Sequence, residues 1–172
     1  MNALVFAGSL ISLLMFVPLW GQIRSGVAKQ NILTWALWTA LDVVLAASIV
    51  SQGGTGWLLP TVYVFGNTIT ISIIWRMGDR GVWTWFEAMI MFLALASMGV
   101  WYSAGDAMAT IASTSAVLIA GVPQLKDAWK KPHEIPLKVY LGYCVGSALC
   151  IAGGADWSIK ERFHSVAATM YG

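Results

Sequence analysis

Along this chain, long apolar runs alternate with short polar breaks. No charged side chain stands between Met1 and Gln22, which predicts a first helix over 3–21. A second run covers 32–51, with Asp42 as its one charge, and closes on Gly53-Gly54-Thr55-Gly56, a tight-turn sequence. The third covers 57–75 and ends before Arg76, Asp79 and Arg80. The fourth, 82–102, is framed by Trp83 and Trp85 at one end and Trp101 and Tyr102 at the other, as in an interfacial aromatic belt. The fifth, 106–125, ends in Val122-Pro123-Gln124, and the sixth is 137–153. A run of about 20 apolar residues is what a helix needs to cross a bilayer. The tail from Ser158 begins polar (Lys160, Glu161, Arg162) and turns apolar for about a dozen residues, roughly 18 Å of helix. It is expected to form a short or truncated seventh span, or a helix lying in the interface.

Composition fixes the class. Of 172 residues, 58% are hydrophobic and 10% charged, against roughly 25% charged in soluble domains. Mean hydropathy is +0.72. Soluble enzymes, DNA-binding domains and disordered linkers are excluded, and the lipid bilayer is the first partner. A net charge of +2 gives no reason to expect a nucleic acid. Cys144 and Cys150 fall on different faces of one helix and cannot pair with each other. His133 and His164 lie in separate segments, and no His/Cys/Asp/Glu cluster has metal-ligand spacing, so no metal or cofactor is expected. Nor does a lone Asp42 supply the paired groups of a membrane-embedded enzyme. Arg24, Lys29, Arg76, Arg80, Lys126, Lys130, Lys131 and Lys138 fall on one side, and only Lys160 and Arg162 on the other. The positive-inside rule makes the first side cytoplasmic and leaves the N-terminus outside.

The chain also repeats. Gly53-Gly54-Thr55-Gly56-Trp57 matches Gly153-Gly154-Ala155-Asp156-Trp157 at an offset of 100. Each is preceded by a span ending in Val-Pro, Val17-Pro18 and Val122-Pro123, and then by a basic loop. The expected fold is an all-α integral membrane protein of six to seven transmembrane helices. They form two parallel three-helix repeats, 1–80 and 105–172, joined by a linker helix at 81–104.

This pattern, with Pro123-Gln124, the basic residues after it, and Pro132 and Pro136, resembles the PQ-loop and SWEET–SemiSWEET transporter superfamily. Thr34-Trp35-Ala36-Leu37-Trp38 resembles the second span of bacterial seven-span relatives, pointing to a bacterial cytoplasmic membrane. The first repeat departs from the motif: Leu19 follows Pro18, and a glutamine comes only at Gln22. The resemblance implies transport of a small solute by rocking of two triplets. It also implies a cavity-facing asparagine in each third helix. Asn67 matches that position, while its counterpart is Ala167.

Asp42 is the outstanding residue, since an ionised carboxylate at mid-membrane costs about 2.5–3.5 kcal/mol. Trp35, Trp38 and Asp42, spaced by three and four, share one helix face. Together with Asn67 they form a candidate binding set for a sugar- or vitamin-like solute, with Trp38 stacking on it. The alternative is an aspartate that ties helices together beside packing tryptophans. Pro18 and Pro123, with Gln124 beside the second, are candidate hinges or simply helix ends. Thr68 and Thr70 would bond a solute or, more commonly, a neighbouring helix. Glu87 reads as a side chain reaching out to the interface.

Two function classes follow. One is a transporter of a small polar solute by alternating access between two three-helix bundles. The other is a non-catalytic accessory or scaffold subunit of a larger membrane complex, contacting lipid or a pigment near His164. The first expects a polar cavity beside Asp42, and the second a tightly packed seam. A homodimer or a larger complex fits either class.

Overall fold

A computed structural model describes residues 2–27, 31–77, 83–130 and 137–170, without the side chains of 123–128 and 130. Every regular element among the described residues is helical: α1 (Ala3–Arg24), α2 (Ile32–Ser51), α3 (Leu58–Arg76), α4 (Trp85–Ala104), α5 (Asp106–Lys130), α6 (Leu137–Gly153), a π-helical turn (Ile159–Phe163) and α7 (His164–Thr169). The first four are long and apolar enough to cross a membrane, while α6 and the apolar part of α5, Asp106–Val122, are shorter. Such helices are apolar nearly all round, as expected when both lipid and neighbouring helices are apolar.

Short polar residues set the ends. Asn2 and Asn31 cap α1 and α2 by accepting from the backbone of Leu4 and Leu33. Gly26, Gly53 and Gly105 follow three helices with φ of 72°, 65° and 82°, a backbone region that glycine enters without strain. The sequence-derived bounds hold closely for α2 and α6. They fall short at the basic end, where α1 reaches Arg24 and α5 reaches Lys130. Pro18 therefore lies inside α1 rather than at its end. Likewise α5 runs on through Pro123 and Gln124, whose side chains lie outside the described residues. Lys29, Arg80, Lys131, His133 and Glu134 also fall outside them.

Helix α3 packs against both α1 and α2, and α7 against both α5 and α6. Across the bundle, α1 packs on α6 and α2 on α5, while α4 lies against α2 and α5. The α1–α6 seam is closed by small residues. A Cβ at Gly8 would strike the Gly146 carbonyl, one at Gly146 the Ser12 side chain and the Gly8 carbonyl, and one at Gly142 the Met15 side chain. Gly142 and Gly146 make a Gly-x-x-x-Gly spacing, which lets helix backbones touch. The α2–α5 seam is polar: the Ser48 and Thr110 hydroxyls are 2.9 Å apart, and Gln52 Nε2 donates to Thr110 Oγ1 at 2.8 Å. Ser113 and Thr114 are fully buried on the same helix. Five tryptophans, Trp75, Trp83, Trp85, Trp129 and Trp157, are exposed at helix ends, in keeping with an aromatic belt.

Glu87 corrects an expectation. It is buried, not extended to the surface. It closes a capping box with Thr84, accepting from the Thr84 backbone at 3.0 Å and from the Thr84 hydroxyl. Its other oxygen accepts from Asn31 Nδ2 at 2.9 Å and Thr34 Oγ1 at 3.3 Å, tying α4 to the start of α2. Glu87→Ala is expected to cost about 1–2 kcal/mol by loss of the cap and of these partners. Unfolding in mild detergent would measure it, and an unchanged midpoint would refute the tie.

Candidate functional site

The four candidate binding residues come together. Asp42, Trp35, Trp38 and Asn67 line one cavity of about 130 Å³, roughly ten times the room one water needs. Its walls come from α1, α2, α3, α5, α6 and α7.

Asp42 sits midway along α2 and is 4% exposed. Its Oδ2 accepts from Asn67 Nδ2 of α3 at 3.1 Å. Its Oδ1 has no partner among the described residues. One turn earlier, the buried Trp38 Nε1 also has none. The Trp35 and Trp38 rings meet edge to face, with centroids 5.4 Å apart. Thr70 faces α1 instead, accepting from Trp20 Nε1 at 2.9 Å, while Thr68 is exposed and bonds back to Val64 of its own helix.

The remaining wall is aromatic. Phe16 of α1 makes ring contacts with Trp35, Tyr63 and Tyr143, at centroid distances of 6.4, 6.3 and 5.6 Å. It reaches α3 because Gly66 leaves room: a Cβ there would meet the Phe16 ring. Tyr63 and Tyr143 are 5.9 Å apart, and Tyr63 lies 6.0 Å from His164 of α7. The Tyr143 hydroxyl and both ring nitrogens of His164 are buried without partners among the described residues. The Tyr63 hydroxyl lies beside Ser12 and Ser147.

Phe16, Tyr63, Tyr143 and His164 belong to this site but not to the candidate set. Tyr63 was detectable: it precedes Asn67 by four residues and so shares its helix face. The others come from helices distant in sequence. His164, expected from the sequence only as a contact for a pigment or lipid, is a wall residue of the cavity.

At the opposite end from Arg24 and Arg76, the two matching turns meet on one carboxylate. Glu161 accepts from the Thr55 backbone at 2.7 Å, from the Thr55 hydroxyl at 2.6 Å and from the Ala155 backbone at 3.3 Å. Thr55 and Ala155 are counterparts at the offset of 100. Lys160 Nζ donates to the Gln52 carbonyl at 3.2 Å. Arg162 donates to the Gly154 carbonyl at 2.8 Å and lies 3.9 Å over the Trp157 ring. Gly56 permits this closure, because a Cβ there would come within 2.6 Å of the Lys160 carbonyl.

A cavity lined by aromatic carbon, with several side chains whose buried polar atoms have no partner among the described residues, can take a small ligand that hydrogen-bonds at a few points. In comparisons with protein-family models, with curated proteins and with solved structures, this chain matches none.

Proposed function

We propose that the protein moves a small polar solute across a membrane by alternating access, with Asp42, Asn67, Trp38 and Trp35 holding the solute. The observation that carries this reading is the cavity beside Asp42, whose lining includes four side chains, Trp38, Asp42, Tyr143 and His164, with buried polar atoms that have no partner among the described residues. Buried polar groups are normally satisfied, so an open set around a cavity points to a ligand or water. An accessory or scaffold subunit would instead be expected to fill that seam.

The packing supports the two-triplet arrangement, 1–80 and 105–172 with the linker 81–104. Exchanging α1 with α5, α2 with α6 and α3 with α7 turns the α1–α6 contact into the α5–α2 contact, and maps α3 between its partners onto α7 between its own. A two-fold axis along the membrane normal relates parallel repeats in this way. On this reading six helices span, α7 completes the second triplet, and the Arg24/Arg76 end faces the cytoplasm of a bacterial cell. Pro18 frees the Leu14 carbonyl within α1 and gives that helix a bending point.

Proteoliposome uptake of labelled glucose, thiamine and choline tests the reading. At least one is expected to accumulate, and Asp42→Asn and Asn67→Ala are each expected to lower its uptake about tenfold or more, the loss of about 1.4 kcal/mol of solute binding. Unchanged uptake in both variants would remove the site assignment.

A further inference from the structure

We infer that the solute is a small organic cation, an alkylammonium or quaternary ammonium ion held by Asp42 within the aromatic walls. The inference rests on the reading of this cavity as a solute site and names the chemistry it selects.

Charge comes first. Among the described residues, the lining holds one carboxylate, Asp42, and no lysine or arginine. Asn67 gives Asp42 one neutral donor, and Oδ1 has no partner among the described residues. An ionised carboxylate in a membrane interior is costly, and it either takes up a proton or meets a counter-ion. The described lining offers no cationic side chain, so a cationic ligand is the group that would hold Asp42 in its charged form. An anion would meet Asp42 with repulsion.

The walls make the same choice. Phe16, Trp35, Trp38, Tyr63, Tyr140 and Tyr143 all line the cavity. Aromatic faces carry negative potential, and several of them around a carboxylate form the kind of box that receives ammonium groups. A sugar would need hydrogen-bonding groups on most of its edges, but the lining is mostly carbon, with its polar atoms confined to Asp42, Asn67, His164 and the single donor or hydroxyl of each tryptophan and tyrosine. Those beyond the carboxylate suit one hydroxyl or amide on the cation's tail.

The test titrates the purified protein in nanodiscs with choline, with its uncharged isostere 3,3-dimethylbutan-1-ol, and with glucose, read by calorimetry and tryptophan fluorescence. Choline is expected to bind saturably and at least tenfold tighter than the isostere. Asp42→Asn keeps an acceptor for Asn67 and should bring choline down to the isostere's affinity, with the variant's melting midpoint reporting that it is folded. Trp38→Leu should weaken choline severalfold. Equal affinity for choline and its isostere, choline binding indifferent to Asp42→Asn, or no choline binding at all would each overturn the inference. Saturable glucose binding without choline binding would overturn it and leave a solute site standing. Choline that binds but is not moved into proteoliposomes would instead count against transport alone.

Discussion

Replacing Gly146 with leucine is expected to force α1 away from α6 and to cost about 3 kcal/mol or more. The reason lies in what the new side chain meets. A Cβ at this position would strike the Ser12 side chain and would lie 2.6 Å from the Gly8 carbonyl oxygen. A flexible side chain can turn aside, but a backbone carbonyl moves only with its helix. The same displacement would open the contacts between Gly153 and Val5 and between Cys150 and Ser9, whose sulfur and oxygen are 3.7 Å apart. Denaturation in mixed micelles measures the loss, with Leu141→Ala as a control at an exposed position of the same helix. A Gly146→Leu protein as stable as the parent would show that the seam is not closed by backbone contact.

The second large effect is expected at Glu161. Alanine there leaves the Thr55 N–H, the Thr55 hydroxyl and the Ala155 N–H without their acceptor. Bonds to a charged partner are worth about 1.5–3 kcal/mol each and do not add fully, so a loss of about 3 kcal/mol is expected. The clasp also titrates. Burial pushes the Glu161 carboxyl up, but the hydrogen bonds from Thr55 and Ala155 outweigh it and hold the group below its ordinary 4.5. The unfolded chain then takes up the proton before the folded one. Stability from this group is therefore fully present above pH 4.5 and is lost as pH falls below it through the lower folded value. Melting curves from neutral pH into that acid range should show the decline in the parent and a flatter profile in Glu161→Gln. Identical profiles would mean that the carboxylate is not held in its charged form.

The particular residues show why some of this was legible in advance. The bounds of α2 and α6 follow from runs of apolar residues that end at glycine or polar turns, and those signals are local. The ends of α1 and α5 were placed too early because hydropathy marks where apolar surface stops, while hydrogen-bonded turns continue through Arg24 and Lys130. Asp42 was conspicuous as a charge in an apolar run, and Trp35 and Trp38 followed from helix periodicity. Glu87 and Glu161 were less transparent. The capping box of Glu87 with Thr84 carries a local Thr-x-x-Glu signature, but its bonds to Asn31 and Thr34, and those of Glu161 to Thr55, come from far along the chain, and no periodicity announces such pairings. Phe16 is another such case. Nothing near it in sequence marks it as part of a site, and only the missing side chain of Gly66 lets its ring reach α3.

That ring has a mechanical consequence. Phe16 touches Trp35 on α2, Tyr63 on α3 and Tyr143 on α6, so a single side chain of α1 bears on three other helices. Close-packed interiors transmit displacement rather than absorb it. A guest that tilts a ring on α2 must turn Phe16 or be refused by it, and turning Phe16 presses at once on α3 and α6. On the reading of this cavity as a solute site, occupancy is therefore expected to bear on the α1–α6 seam through one phenylalanine acting as a crank.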